Sequence, residues 1–519
     1  MAWSKYQNDI FEYGTSLDAG SFAISAVAGS GKTTTELELA RRIAAKYPDE
    51  KILFLAFNRA IVEDHKDKMK DYPSIRCHTL HSWGLSILHR SKMKLNVNEN
   101  KYKNYIKNNF IKLSAGTIPD NSKKKWVFIG NCDELLRLCR INMVMPKDTA
   151  RVEEIAFKHS IMPVSNEIDA VSNKLLLKAQ TLLPFKTKTP GLSGYDIDYT
   201  DMICLPLTDS FLKFIFKYDT VFIDEAQDLN EAQQQLMLAS IKPGGRFVAA
   251  GDFSQSINAF AGALNDSFDK LAKRAGRTLP LSVNYRCGNN IILEAQKLVP
   301  RIEAHEGAEE GTVERVKDLT SVQPGDMILC RKTAPLLEVA LKLISNGKSA
   351  MIKGKELAEK MISFVDRVDS DANQLLTIET LFYKLDNMLE KLIADLRERG
   401  VEFIYANPQY LDMIDKINAL KQIGAHCSSI GELREILNNL FADTITGNAV
   451  ILSTVHKAKG LEADNVFIIC PELLPMKMDG QQDWEWQQEL NLKYVAVTRA
   501  KKRLVWVDVS EKEISNIKV

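Results

Sequence analysis

The chain has 519 residues, 45% of them hydrophobic and 26% charged, and a net charge of +1. That length exceeds one hydrophobic core, so two to four domains are expected, and the composition is that of a globular protein. No apolar run approaches the ~18 residues of a membrane span. The N-terminal stretch has no apolar secretory region, and the eight cysteines contain no CxxC pair, which argues against a zinc site or a disulfide framework and for a reducing cytoplasm.

Phe22–Val27 reads as a buried strand and Thr34–Ala44 as a helix. Between them Ala26, Val27, Ala28, Gly29, Ser30, Gly31, Lys32 and Thr33 make a glycine-rich turn. Strand, glycine turn and helix are the setting of a phosphate-binding loop, where backbone N–H groups and the helix dipole converge on an anion. Lys32 would reach the β- and γ-phosphates of ATP, and the Thr33 hydroxyl would hold Mg²⁺. Strands at Lys51–Phe57 and Ile75–His78 alternate with helices at Arg59–Lys70 and Leu80–His89, the pattern of a parallel α/β sheet.

From 91 to 195 the strand signal fades, and segments 133–142, 149–159 and 166–182 read as helices of an insertion. Residues 91–125 carry nine Lys against two acidic residues, with Tyr102, Tyr105 and Phe110 interleaved. That mixture fits either a solvated helix face or a nucleic-acid surface, with Lys123, Lys124 and Lys125 as its densest part. The α/β pattern resumes with a strand at Val221–Ile223 that ends in Asp224 and Glu225, followed by a helix at Glu231–Ser240 and a strand at Arg246–Ala250. Ligands sit at the C-terminal ends of such strands, so Asp224 would bind Mg²⁺ and Glu225 would orient or deprotonate the attacking water.

A second α/β unit begins near 281, turns helical over about 371–445, and returns to strands at Ala449–Ser453, Asn465–Cys470 and Arg503–Val507. The expected organisation is a first sheet domain from 1–90 and 196–280, with 91–195 inserted. A second comes from 281–370 and 446–519, with 371–445 inserted.

Read together, these stretches resemble the superfamily 1A DNA helicases of the UvrD/Rep type. The Asp224-Glu225-Ala226-Gln227-Asp228 run resembles that family's motif II, and six further stretches follow in its order. The resemblance implies two RecA-like P-loop domains, each with a mainly helical insertion. It implies that Gln7 and Tyr285 meet the adenine, that Glu462 in the run ending Gly460-Leu461-Glu462 meets the ribose, and that Gln255, Arg286 and Arg499 act on the γ-phosphate. ATP would bridge the two domains. Phe57, His81, Trp83 and Phe260 would face DNA, although aromatic residues and a lone histidine in such positions also serve as core or cap.

Three departures stand out. After Gln255 one aromatic and one Arg of the family pattern are missing, Thr34 stands where many members have Arg, and 371–445 is short for the second insertion. The implied activity is an ATP-dependent helicase moving 3′→5′ on single-stranded DNA, acting on tailed duplexes in a bacterial or phage-infected host cytoplasm. Repair, replication and recombination are all open as pathways. A translocase that strips proteins from DNA and a nucleotide-dependent binding module without turnover are the alternatives.

Overall fold

Ile52–Ala56 is buried at every residue, and Phe22–Ala26 at all but one. Continuous apolar runs of this kind form strands covered on both faces. The computed structural model describes residues 3–114, 123–159, 161, 174–180, 185–187, 193–257, 267–369, 377–398, 403–442 and 449–519. The chain forms two units, Met1–Ala26 with Gly31–Leu281, and Val27–Ser30 with Ser282–Val519.

The first unit is built on β1 (Phe22–Ala26), β2 (Ile52–Ala56), β3 (Ile75–Thr79), β6 (Tyr218–Ile223), β7 (Ile241–Gly251) and β8 (Thr278–Leu281). They make one parallel sheet in the order β3-β2-β6-β7-β1-β8. Side-chain alternation assigns the two faces. Ile24, Phe54, Phe222 and Val248 pack with helices α1 (Lys5–Gly14) and α2 (Lys32–Lys46), while Leu53, Leu55, Val221 and Phe247 pack with Trp83 and Leu236.

The inserted region is mainly helical over its described residues and also holds one strand pair. A parallel pair, β4 (Leu95–Val97) and β5 (Tyr195–Ile197), joins its two ends. Its helices, including Lys123–Ile141 and Thr149–Lys158, enclose a core of their own. Tyr102 and Phe110 are buried in that core, so two of the aromatics interleaved with the lysines do not face solvent. Lys101 is buried too. Its ammonium pairs with Asp201, which is fully buried and also pairs with Arg140, and Arg140 reaches Asp198 at 2.9 Å. The basic run is therefore partly internal, where its charges are matched by acids from the far end of the insertion.

In the second unit, β9 (Val283–Asn284) and β10 (Glu303–Ala304) form a short parallel pair. The main sheet contains β11 (Thr312–Val316), β12 (Met327–Cys330), β13 (Ala350–Lys353), β14 (Phe441–Ala442), β15 (Val450–Thr454), β16 (Ala463–Ile469) and β17 (Ala500–Val507). Their order is β11-β17-β16-β12-β15-β13-β14, all parallel. The segment expected as an insertion contributes helices Ile378–Glu398, Pro408–Gly424 and Ile430–Leu440. Leu381, Leu420 and Leu437 share one core with the sheet residues Ile328, Leu452 and Phe467, and edge strand β14 also falls inside that segment. Among the described residues no helix is long and apolar enough to cross a membrane. The architecture is α/β, with two parallel-sheet RecA-like units.

Candidate nucleotide site and nucleic-acid surface

The glycines shape the phosphate loop. Gly31 caps α2 with φ 72°, and Gly29 has φ 65°, both left-handed conformations that disfavour a side chain. A Cβ on Gly29 would also lie 2.6 Å from Asn284 Nδ2, a residue of the same unit. In that unit the loop tip is held by backbone contacts. The Ala28 N–H donates to the Tyr494 hydroxyl at 3.0 Å, Asn284 Nδ2 donates to the Ala28 carbonyl at 2.6 Å, and the Tyr285 N–H donates to the Gly29 carbonyl at 2.8 Å. Ser30 Oγ is buried with no hydrogen-bond partner among the described residues, as a group awaiting a ligand would be.

At the start of α2, Lys32 Nζ lies 2.9 Å from Asp224 Oδ1 and 2.7 Å from Glu225 Oε1. Burial opposes its charge, yet Asp224 and Glu225 hold the ammonium above the usual lysine range. Thr33 Oγ1 is 3.3 Å from Asp224 Oδ2. A hydroxyl beside a carboxylate suits a hard cation that keeps most of its waters. Among the described residues no group of three or more His, Cys, Asp or Glu is arranged to hold a metal. Thr34 is exposed on the same helix.

Glu225 has φ 54° and ψ 41°, a left-handed conformation unusual outside glycine. A polar chain holds it there. Gln227 Nε2 donates to Glu225 Oε2, Gln227 Oε1 accepts from the Asp252 N–H at 3.0 Å, and Gln255 Nε2 donates to Asp252 Oδ2 at 2.7 Å. Gln227 and Asp252 are both buried. The sequence reading singled out Glu225 and Gln255 but missed these two links. Their signal was available, since both are polar residues in the turns that follow β6 and β7.

Gln7 is engaged within its own unit. It is buried, its Oε1 accepts from the Ser4 N–H at 3.0 Å, and its Nε2 donates to Thr35 Oγ1 at 3.0 Å. It clasps α1 to α2, a role set by the capping box Ser4–Gln7.

In the second unit Arg286 Nε lies 2.6 Å from Glu462 Oε2, and Lys501 Nζ lies 2.6 Å from Glu462 Oε1. These two cations hold the Glu462 carboxyl below its ordinary range against the opposing effect of burial. Arg499 is buried, donating from Nε to the Val495 carbonyl and from Nη1 to the Leu461 carbonyl, each at 3.0 Å. Burial foremost, and then Arg286, lower its guanidinium to about 10. Tyr285 is exposed and meets His305 edge-on at 5.5 Å. Gly460, with φ 87°, is exposed two residues before Glu462.

The expected nucleic-acid residues separate sharply. Phe57 is 49% exposed at the end of β2. Trp83 is 1% exposed, and its Nε1 donates to Ser240 Oγ at 2.8 Å, so it is a core residue and not a stacking surface. The helix Leu80–Arg90 turns that face onto the sheet. His81 is half-buried and edge-on to Tyr199 at 6.1 Å. Tyr199 itself is 50% exposed and follows the helix-capping Asp198. Lys125 lies over the Phe110 ring at 5.2 Å and near the exposed Trp126 at 5.8 Å. Phe260 and the side chains of Lys123 and Lys124 lie outside the described residues.

Comparison with known proteins identifies the family. Residues 8–276 match the UvrD/REP helicase N-terminal domain, and residues 411–511 match the UvrD-like helicase C-terminal domain. The chain is 24% identical to F-box DNA helicase protein 1 of Schizosaccharomyces pombe and 25% identical to F-box DNA helicase 1 of Gallus gallus. Those alignments cover 94% and 93% of this chain but 56% and 47% of the relatives, so the chain spans about half their length. It is 23% identical to the probable DNA helicase II homolog of Mycoplasma pneumoniae, over 93% of this chain and 81% of that protein. With its phosphate loop, its paired acids and both halves of the family pattern in place, the chain belongs to the UvrD/Rep-like DNA helicase family, superfamily 1A.

Proposed function

We propose that this protein is an ATP-dependent DNA helicase that moves 3′→5′ along single-stranded DNA and opens tailed duplexes. The observation that carries the reading is the position of Lys32, between Asp224 and Glu225 at the N-terminus of α2. Binding a triphosphate there would draw the ammonium from the two acids to the β- and γ-phosphates. Glu225 would then be free to orient or deprotonate the attacking water, and Gln227 would keep its carboxylate aimed. Thr33 and Asp224 would hold Mg²⁺, which when bound neutralises charge on the phosphates. Arg286 and Arg499 are assigned to the same nucleotide by their motifs, where fixed guanidinium charge lowers the barrier to phosphoryl transfer. Tyr285 and Glu462 are assigned to the base and ribose on the same ground. The direction of movement follows from resemblance to UvrD-type members.

The test is ATP hydrolysis with and without single-stranded DNA, followed by unwinding of 3′- and 5′-tailed duplexes. DNA-stimulated turnover with unwinding from the 3′ tail supports the reading. No stimulated turnover refutes it in favour of a binding module, and displacement of a bound protein without strand separation refutes the unwinding step alone.

A further inference from the structure

Glu36 is a polar side chain with no evident reason to be where it is. It lies four residues after Lys32 on α2, the spacing that places two side chains on one helix face. The other buried residues of α2 are Thr35 and the apolar Leu37, Leu39, Ala40, Ile43 and Ala44. Glu36 is 0% exposed, and neither carboxyl oxygen has a hydrogen-bond partner among the described residues. Buried polar groups in folded proteins nearly always have one. Its charged neighbours are Asp224, Lys32 and Glu225. Lys32 is within ion-pair distance of Asp224 and Glu225. The carboxyl therefore lies beside the acid assigned to the cation, where burial foremost and then Asp224 hold it above the ordinary carboxylate range, and it keeps an oxygen that can accept a hydrogen bond.

We propose that Glu36 is a positioning residue for the divalent cation of the nucleotide site, accepting hydrogen bonds from the ion's water shell. The inference rests on the nucleotide reading above. Mg²⁺ dehydrates reluctantly and is usually bound through one or two protein groups, several waters and the phosphates. Thr33 and Asp224 supply the protein groups, and the waters they leave in place need acceptors. A fully buried carboxyl beside Asp224 meets that need and fixes where the waters, and hence the ion, can sit. Such outer contacts orient a metal site without ligating the metal, and their loss typically lowers metal affinity about 10–100-fold.

The test uses the full chain, a fluorescent non-hydrolysable ATP analogue, and Glu36→Leu and Glu36→Gln. Analogue affinity is measured in EDTA and across a Mg²⁺ titration, with a thermal melt of each variant in EDTA. Glu36→Leu is expected to bind the analogue like wild type in EDTA, to melt no lower, and to need about 10–100-fold more Mg²⁺ for half-maximal tightening. Glu36→Gln should shift the Mg²⁺ midpoint less, because its carbonyl still accepts. If the leucine variant fails to fold, the Gln midpoint must still rise. A wild-type Mg²⁺ midpoint in a folded variant, or a lower melt in EDTA for both, would make Glu36 a structural acid and overturn the proposal. A wild-type protein whose analogue binding ignores Mg²⁺ would overturn the nucleotide reading and this inference with it, whereas a variant effect missing from a responsive wild type removes only the inference.

Discussion

Glu225→Gln separates chemistry from binding at the proposed site. In the wild-type fold one carboxylate oxygen lies 2.7 Å from Lys32 and the other accepts from Gln227. A glutamine keeps one acceptor and places an amide donor against a second donor, so one of the two contacts is lost. Lys32 retains Asp224 at 2.9 Å, and the Glu225 side chain is 27% exposed. The pair is partly buried, but Lys32 keeps Asp224 as its counter-charge, so the loss is about that of one hydrogen bond, roughly 0.5–1.5 kcal/mol, which is a few degrees in melting temperature. The catalytic loss is much larger. Removing a general base typically lowers the rate about 10²–10⁴-fold, equivalent to roughly 3–5 kcal/mol of barrier at 1.36 kcal/mol per decade. The assay is ATP turnover at saturating ATP and single-stranded DNA, beside binding of a fluorescent ATP analogue and a thermal melt. Slow turnover with near-normal analogue affinity and melt is the expected outcome. Turnover at the wild-type rate would remove Glu225 from water activation, and a melt lowered by ten degrees or more would show that its left-handed turn is held mainly for folding.

Phe57→Ala should weaken single-strand binding about 5–150-fold, from ~1–3 kcal/mol per stacked base, while the melt hardly moves because the ring is already half in solvent; unchanged binding by fluorescence anisotropy would rule the ring out. Trp83→Ala should do the reverse and lower stability by about 3–5 kcal/mol, as other buried aromatic truncations do; a stable variant defective only in DNA binding would contradict the core assignment. Asp201→Asn should destabilise the first unit by roughly 3–5 kcal/mol, since it leaves Lys101 and Arg140 buried with too little negative charge; denaturant unfolding at neutral pH reads this directly, and an unchanged midpoint would show the cluster to be dispensable.

Much of the site was legible because its signals are local. The loop from Ala26 to Thr33 announces itself by glycine spacing between a strand and a helix. Asp224 and Glu225 follow from a strand that ends in acids. Lys32, Thr33, Asp224 and Glu225 then meet because a parallel sheet brings its strands' C-terminal ends to one edge. The two α/β units were legible for the same reason, since buried strands and the helices between them repeat at short range. The second inserted segment contributes helices and the edge strand β14, and its sharing one core with the sheet was not in the pattern.

Two aromatics show where sequence stops. Phe57 and Trp83 both follow strands of the same sheet and both sit in helicase-like motifs. One ends in solvent, while the other lies in the core against Ser240, more than 150 residues away in the chain. Lys101 looked like part of a basic surface until Asp201 was folded against it, and the structure alone shows Gln7 buried between Ser4 and Thr35. Glu36 carries no signal in the sequence and is wholly enclosed in the fold. The sequence by itself determined the order of strands and helices and the glycine-rich turn that sets Lys32 and Thr33 at the start of α2, because those depend on neighbours in the chain. Which charges and rings are buried, and against what, was decided only in the tertiary structure, because solvent exclusion is a property of surfaces contributed by distant segments.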